Sequence, residues 1–160
     1  MPRAFFMYLL AIETSCDETS AAVVHDGVVV ANVVSSQMDM HAEYGGVVPE
    51  LAAREHLKNL MPVIERTLEE AGLAAGRLNA IAATRGPGLP SALRAGFGVA
   101  QGLAQALEIP LYGMHHHEAH LYSPWIAGEP PAADFESMPA NISLIVSGGH
   151  TMIVHVKSPL

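Results

Sequence analysis

Two β-branched runs joined by Asp-Gly constrain this chain more than anything else in it. In "AAVVHDGVVVANVVSS" (21–36) the runs flank Asp26-Gly27, two residues that tolerate the positive φ a two-residue hairpin turn requires. Just before them, "MYLLAIE" (7–13) is a short apolar run, and the dense polar turn "TSCDETS" (14–20) leads from it into the hairpin. Three consecutive antiparallel strands are expected. A sheet that begins this way must be covered on at least one face by later segments of the chain.

The next pattern has the helical period. In "VPELAAREHLKNLMPVIERTLEEAGL" (48–73), Leu57, Leu60, Met61, Ile64, Leu68 and Ala71 fall at steps of three, four and seven, predicting an amphipathic helix ended by Gly72, with Pro62 as a candidate kink. "LNAIAAT" (78–84) reads as a buried strand, "RGPG" (85–88) as a turn and "SALRAGFGVAQGLAQAL" (91–107) as a helix whose small residues allow close packing. "IPLYGM" (109–114) is the next strand, and "HHHEAH" (115–120) opens a helix running toward Trp125, before a Pro- and Gly-rich loop. The order βββαβαβα is that of an α/β protein with a ribonuclease H-like lobe, three antiparallel strands feeding a parallel extension.

A repeat of the opening pattern then begins. "ISLIVSGGHTMIVHV" (142–156) is again apolar strand, tight polar turn, apolar strand, as in "LLAIETSCDETSAAVVH". Residues 1–140 are read as a first lobe and 141–160 as the opening hairpin of a second. The simpler alternative is one more hairpin closing a single domain. A hairpin of alternating hydrophobics needs a partner layer, however, so the expectation is the N-terminal part of a longer protein.

Composition removes several classes. Half of the 160 residues are hydrophobic, enough for a real core, so disorder is not expected. The formal net charge is −8, with eight scattered Lys and Arg. A basic nucleic-acid footprint is missing, and contact with RNA would need positive charge from elsewhere. A lone cysteine, Cys16, excludes a disulfide framework and a cysteine-based zinc ribbon, and fits a reducing, cytoplasmic setting. No window has the length of a membrane span, and the N-terminus reads as strand rather than signal.

Chemistry-bearing residues concentrate in a few turns. In "TSCDETS", hydroxyls and backbone N–H groups can hold a phosphate while Asp17 and Glu18 address its metal ion; the alternative is a solvated hairpin turn. "VSGGHT" (146–151) is a second such turn, where Gly148 and Gly149 permit close backbone approach and positive φ. Two phosphate-type turns facing one cleft make a nucleotide site. Cys16 is a poor nucleophile candidate because adjacent carboxylates suppress its thiolate. "GPGLPSALRAG" offers helix N-terminal amides to an anion, although close helix packing explains its glycines equally well. His41, Glu50, Arg54 and His56 flank the loop between strand and helix, and their spacing alone does not assign them to the cleft.

The histidine cluster is not a protease motif. H-E-x-x-H fails because His120 follows Glu118 one residue early, and H-x-x-E-H fails because Ala119 occupies its last position. What remains is His116 and His120, spaced i and i+4 on one helical face, able to share one ion. Two ligands leave the shell incomplete, and exposed or core-satisfied histidines are the alternative.

Together "AIETSCDETSAAVV", "YGGVVPELAAREH", "TRGPGLPSALRAG", "HHHEAH" and "LIVSGGHT" resemble, in this order, the tRNA adenosine threonylcarbamoyltransferases, formerly labelled O-sialoglycoprotein endopeptidases. The resemblance implies a two-lobed fold of the actin, sugar kinase and heat-shock ATPase superfamily. It also implies transfer of a threonylcarbamoyl group from threonylcarbamoyl-AMP to N6 of the adenine 3′ of the anticodon, in tRNAs reading codons that begin with A.

Residue by residue, His116 and His120 match the family's metal ligands, commonly for iron or zinc, the third being a late aspartate outside this sequence. Ile145, Val146, Ser147, Gly148 and Gly149 match its substrate-binding stretch, and Asp17 and Glu18 its acidic pair, read as catalytic. Mg with ATP or threonylcarbamoyl-AMP is a further cofactor expectation. The implied partners are tRNA, a homologous dimerisation subunit and a small ATPase, with no membrane. "HHHEAH" departs from the family's "HHMEGH", making His117 an extra, competing candidate ligand. A presequence rich in Arg and Ser is missing, favouring a bacterial cytoplasmic protein over a mitochondrial one. A non-catalytic nucleotide-binding or dimerisation scaffold of the same superfamily is the alternative, against which the histidine pair argues.

Overall fold

A computed structural model of the chain describes residues 7–147 and 149–158. β1 (Tyr8–Glu13), β2 (Glu18–His25) and β3 (Val28–Ser36) pair antiparallel in sequence order. Between β2 and β3, Asp26 has φ 51° and Gly27 φ 83°, the left-handed pair that the Asp-Gly dipeptide predicts. A single turn, α1 (Met38–Ala42), leads to α2 (Pro49–Glu70), which starts on a proline at its first position and runs unbroken through Pro62 on its solvent side. β4 (Ala80–Gly86) lies parallel to β1, α3 (Pro90–Leu107) crosses over, and β5 (Leu111–His115) lies parallel to β4. α4 (His116–Tyr122) comes directly after β5. Apart from the short added helix α1, the expected βββαβαβα order is the observed one.

The main sheet runs β5-β4-β1-β2-β3 and is extended past β3 by β7 (Ala132–Ala133) and β6 (Ile126–Ala127). These two-residue strands come from the Pro- and Gly-rich loop, where nothing in the alternation announces them. β8 (Asn141–Val146) and β9 (Thr151–Val156) form a separate antiparallel hairpin.

α2 and α3 cover one face of the sheet. Successive strand residues point to opposite faces, so Leu10 and Ile12 of β1 meet Leu60, Ile64 and Ala100 of the helices, whereas Leu9, Ala11 and Glu13 face away from them. The buried face of α2 is Ala52, His56, Leu60, Val63, Ile64 and Thr67. The predicted stripe is thereby corrected, because Leu57 is 64% and Met61 42% exposed. Two polar residues take core positions instead, each with its hydrogen bonds made: His56 to Thr19 and Cys16, Thr67 to the carbonyls of Val63 and Ala21. A polar group so satisfied loses little by burial.

α3 packs onto the end of β1 through its small residues. A Cβ on Gly96 would overlap the Oγ1, Cγ2 and Cβ of Thr14, while one on Gly98 would meet nothing within 4 Å. Gly96→Ala is therefore expected to destabilise the fold by about 1–3 kcal/mol through overpacking. Gly98→Ala should be neutral or stabilising by up to about 1 kcal/mol through helix propensity. Urea unfolding midpoints measure both, and equal effects would contradict the close contact.

Candidate active site

The carboxyl ends of the parallel strands β1, β4 and β5 lie side by side, where open α/β sheets offer a crevice to ligands. The turn after β1 is tied down residue by residue. Thr14 Oγ1 donates to the carbonyl of Ala92 at 3.0 Å, and the Leu89 N–H donates to the carbonyl of Ser15 at 2.8 Å. His56 Nε2–H donates to the carbonyl of Cys16 at 3.0 Å, and the Gln37 N–H to that of Asp17 at 3.0 Å. His56 is fully buried, and its Nδ1 lies 2.8 Å from the Thr19 hydroxyl. Gly88 approaches so near that a Cβ there would stand 2.5 Å from the Ser15 carbonyl oxygen. The glycine of the "GPG" turn thus serves packing.

β1 ends in Glu13, a residue that no sequence motif singles out. Its carboxylate accepts from the Ser15 N–H and the Thr84 hydroxyl, and its Oε2 lies 3.2 Å from His116 Nδ1. Burial alone would raise its pKa, but the bonds from Ser15 and Thr84, with His116 nearby, outweigh this and hold the carboxyl below its usual range. A charge closing an apolar strand at this sheet edge was the available clue.

α4 starts beside it. His115 occupies the N-cap position and its Nδ1 accepts from the Glu118 N–H at 3.4 Å. One helical turn apart, the Nε2 atoms of His116 and His120 face each other at 3.1 Å. Bonds of about 2.0–2.1 Å to one ion set two nitrogens about 3.3 Å apart at tetrahedral angles and about 2.9 Å apart at right angles, so the pair fits a shared metal. Among the described residues, no group of three or more His, Cys, Asp or Glu is arranged to hold one. His117 turns elsewhere: it is buried and its ring packs edge-on against His150 at 4.8 Å. Loss of water and, behind it, the neighbouring histidines, His150 foremost, hold its pKa below the usual imidazole value.

The turn after β8 closes the site. Ser15, Cys16, Gly88, His116, Ser147 and His150 are among the residues around a cavity of about 400 Å³, so the two turns singled out in the sequence do face one another. Within the second turn, the Ser147 N–H donates to the carbonyl of His150 and the Gly149 N–H to that of Ser147. Gly148 lies outside the described residues. Ile145 is buried in the hairpin and Val146 exposed. Glu18 is exposed where β2 begins, and Asp17 is half-buried beside Cys16. His41 is buried against Gln37, away from the cavity lining. A second cavity, about 430 Å³, runs beneath the sheet along Leu9, Ala11 and Met114 to Glu13 and His120.

This architecture is a ribonuclease H-like α/β fold. YeaZ from Pseudomonas aeruginosa superposes with a TM-score of 0.56 at 24% identity, over 96% of this chain and 68% of its own. A ROK hexokinase from Thermus thermophilus gives 0.54 at 20% identity, over 96% of this chain and 48% of its own. The family model for tRNA N6-adenosine threonylcarbamoyltransferase matches residues 28–160. Curated relatives of that name from Salinibacter ruber and Thermus thermophilus are 54% and 49% identical, each over 150 residues and 94% of this chain. The chain belongs to the tRNA N6-adenosine threonylcarbamoyltransferase family. It spans 43% and 44% of the length of those two relatives.

Cys16 is exposed, yet loss of water around its sulfur and, second, the Asp17 carboxylate push its thiol up to about 11. Fewer thiolates form, although each is a better nucleophile. Iodoacetamide should thus alkylate native Cys16 at pH 8 about 10–20-fold more slowly than the urea-unfolded chain. The native rate should keep climbing up to pH 10, and a plateau near pH 8 would contradict this environment.

Proposed function

We propose that this chain forms the first lobe of an enzyme that transfers a threonylcarbamoyl group from threonylcarbamoyl-AMP to N6 of the adenine 3′ of the anticodon, in tRNAs reading codons that begin with A. The observation that carries the reading is the His116–His120 pair, with Nε2 atoms 3.1 Å apart: His116 lines the cavity between the two turns, and both histidines line the second cavity beneath the sheet. Family membership supplies the reaction class. The position of the pair supports its use on a ligand held between those turns.

His116 and His120 would hold a divalent ion, iron or zinc, through Nε2. When bound, that ion supplies Lewis acidity toward the donor's oxygens. The chain's own residues do the rest. The cavity of about 400 Å³ is within the size range of small-molecule sites, and the pinned backbone of Ser15 and Gly88 gives it a wall that need not reorganise on binding. Ser147 and Gly149 form the facing wall, with Ile145, Val146 and Gly148 completing the substrate stretch of the proposal. Asp17 and Glu18 are the acidic groups assigned to the substrate's Mg or to the proton that N6 gives up. In the transfer itself, N6 attacks the carbamoyl carbon, the bond from that carbon to the AMP oxygen breaks, and one proton leaves N6.

The hairpin of β8 and β9 is read as the start of a second lobe. Ile142, Leu144, Val146 and Ile153 are 64–76% exposed on it, an apolar surface that wants cover. The net charge of −8 supports a reading in which partner subunits provide the cationic surface for tRNA. No helix among the described residues is long and apolar enough to cross a membrane.

In the full chain, His116→Ala with His120→Ala should abolish stoichiometric metal. Transfer from threonylcarbamoyl-AMP to tRNA should fall by more than about 100-fold, beyond the loss typical of outer-shell changes. Metal analysis and a labelled-transfer assay check this, and unchanged metal content with unchanged transfer would sink the reading.

A further inference from the structure

Glu13 has an arrangement that the proposed reaction leaves unused. The parallel register sets Ile12 beside Ala83 and Thr84 beside Met114, which brings the end of β1, the end of β4 and the start of α4 into one corner. In that corner the Glu13 carboxylate is oriented twice, by the Ser15 N–H on Oε1 and by the Thr84 hydroxyl on Oε2. Oε2 then looks at His116 Nδ1 across 3.2 Å. Both side chains are largely shielded, 25% exposed for His116 and 32% for Glu13, so the interaction is screened less than a surface pair.

The donor and acceptor inventory decides what this means. An ionised carboxylate accepts only, so a ring nitrogen facing it carries the proton. Ser15 Oγ lies 3.2 Å from the same nitrogen and 3.5 Å from Nε2, so the carboxylate and not this hydroxyl makes the choice. We infer that Glu13 is a positioning residue for the histidine pair: it fixes His116 as the Nδ1–H tautomer and turns the Nε2 lone pair toward His120 and the ion they share. Without metal, the 3.1 Å gap between the two Nε2 atoms is bridged by the proton of His120. An ion takes that proton's place. A carboxylate behind a ligating histidine sets its tautomer and raises its basicity, and losing such a partner weakens metal binding about 10–100-fold.

The inference rests on the metal reading proposed for the pair, so the experiment separates the two. In metal-free full chain labelled with 15N-histidine, NMR of the ring nitrogens should show His116 protonated at Nδ1. This needs no variant, and a dominant Nε2–H form would overturn the inference. Glu13→Gln keeps the size of the side chain and removes its charge. It should give mixed tautomers at His116 and weaken Zn²⁺ binding, measured by calorimetry with Zn²⁺ alone, about 10–100-fold. A merely structural tie to Thr84 would leave the tautomer in place. If His120→Ala sharply weakens Zn²⁺ binding while Glu13→Gln changes neither tautomer nor affinity, only the role of Glu13 falls. Undiminished Zn²⁺ binding by His120→Ala would overturn the metal reading and this inference together.

Discussion

The contact between the end of β1 and the start of α3 sets the geometry of everything near the cavity. The amide of Leu89 reaches the carbonyl of Ser15 at 2.8 Å, and Gly88 and Gly96 stand where any side chain would strike Ser15 or Thr14. Because interiors are close-packed and yield little, this contact fixes the height of the first turn above the sheet edge. Its position in turn decides which face of Ser15 meets His116. The buried histidine of α2 braces the same turn from the other side through Cys16.

Parallel strand order converts that local contact into a site. β1, β4 and β5 end at one level, so groups far apart in the chain, Glu13, Thr84 and His116, meet without any long loop. The two histidines stay on a short helix that begins at the strand end and is capped by its own neighbour, His115. Sites carried on regular elements hold their geometry better than sites on loops. The cavity opens toward the β8–β9 hairpin, so its far wall depends on that hairpin's turn.

Local features were legible in the sequence and remote ones were not. Asp26-Gly27 specified its turn because both positive φ values are local demands, and His116 and His120 were readable because a four-residue step defines one helical face. The α2 stripe was misplaced by the counting of apolar residues: Leu57 and Met61 gave way to His56 and Thr67, whose hydrogen-bond partners lie on other elements. β6 and β7, at two residues each, are too short for any periodicity. Glu13 and His116 are separated by 103 positions, and only the register of three strands brings them together.

Metal binding beside the cavity by two imidazoles, presented on one turn of α4, is the central claim. X-ray absorption at the zinc edge of the Zn²⁺-loaded full chain tests it most directly. The spectrum should show two imidazole nitrogens at about 2.0–2.1 Å with oxygen donors completing the shell, and one imidazole fewer in His116→Ala. A shell without imidazole, or a spectrum unchanged by His116→Ala, would contradict it.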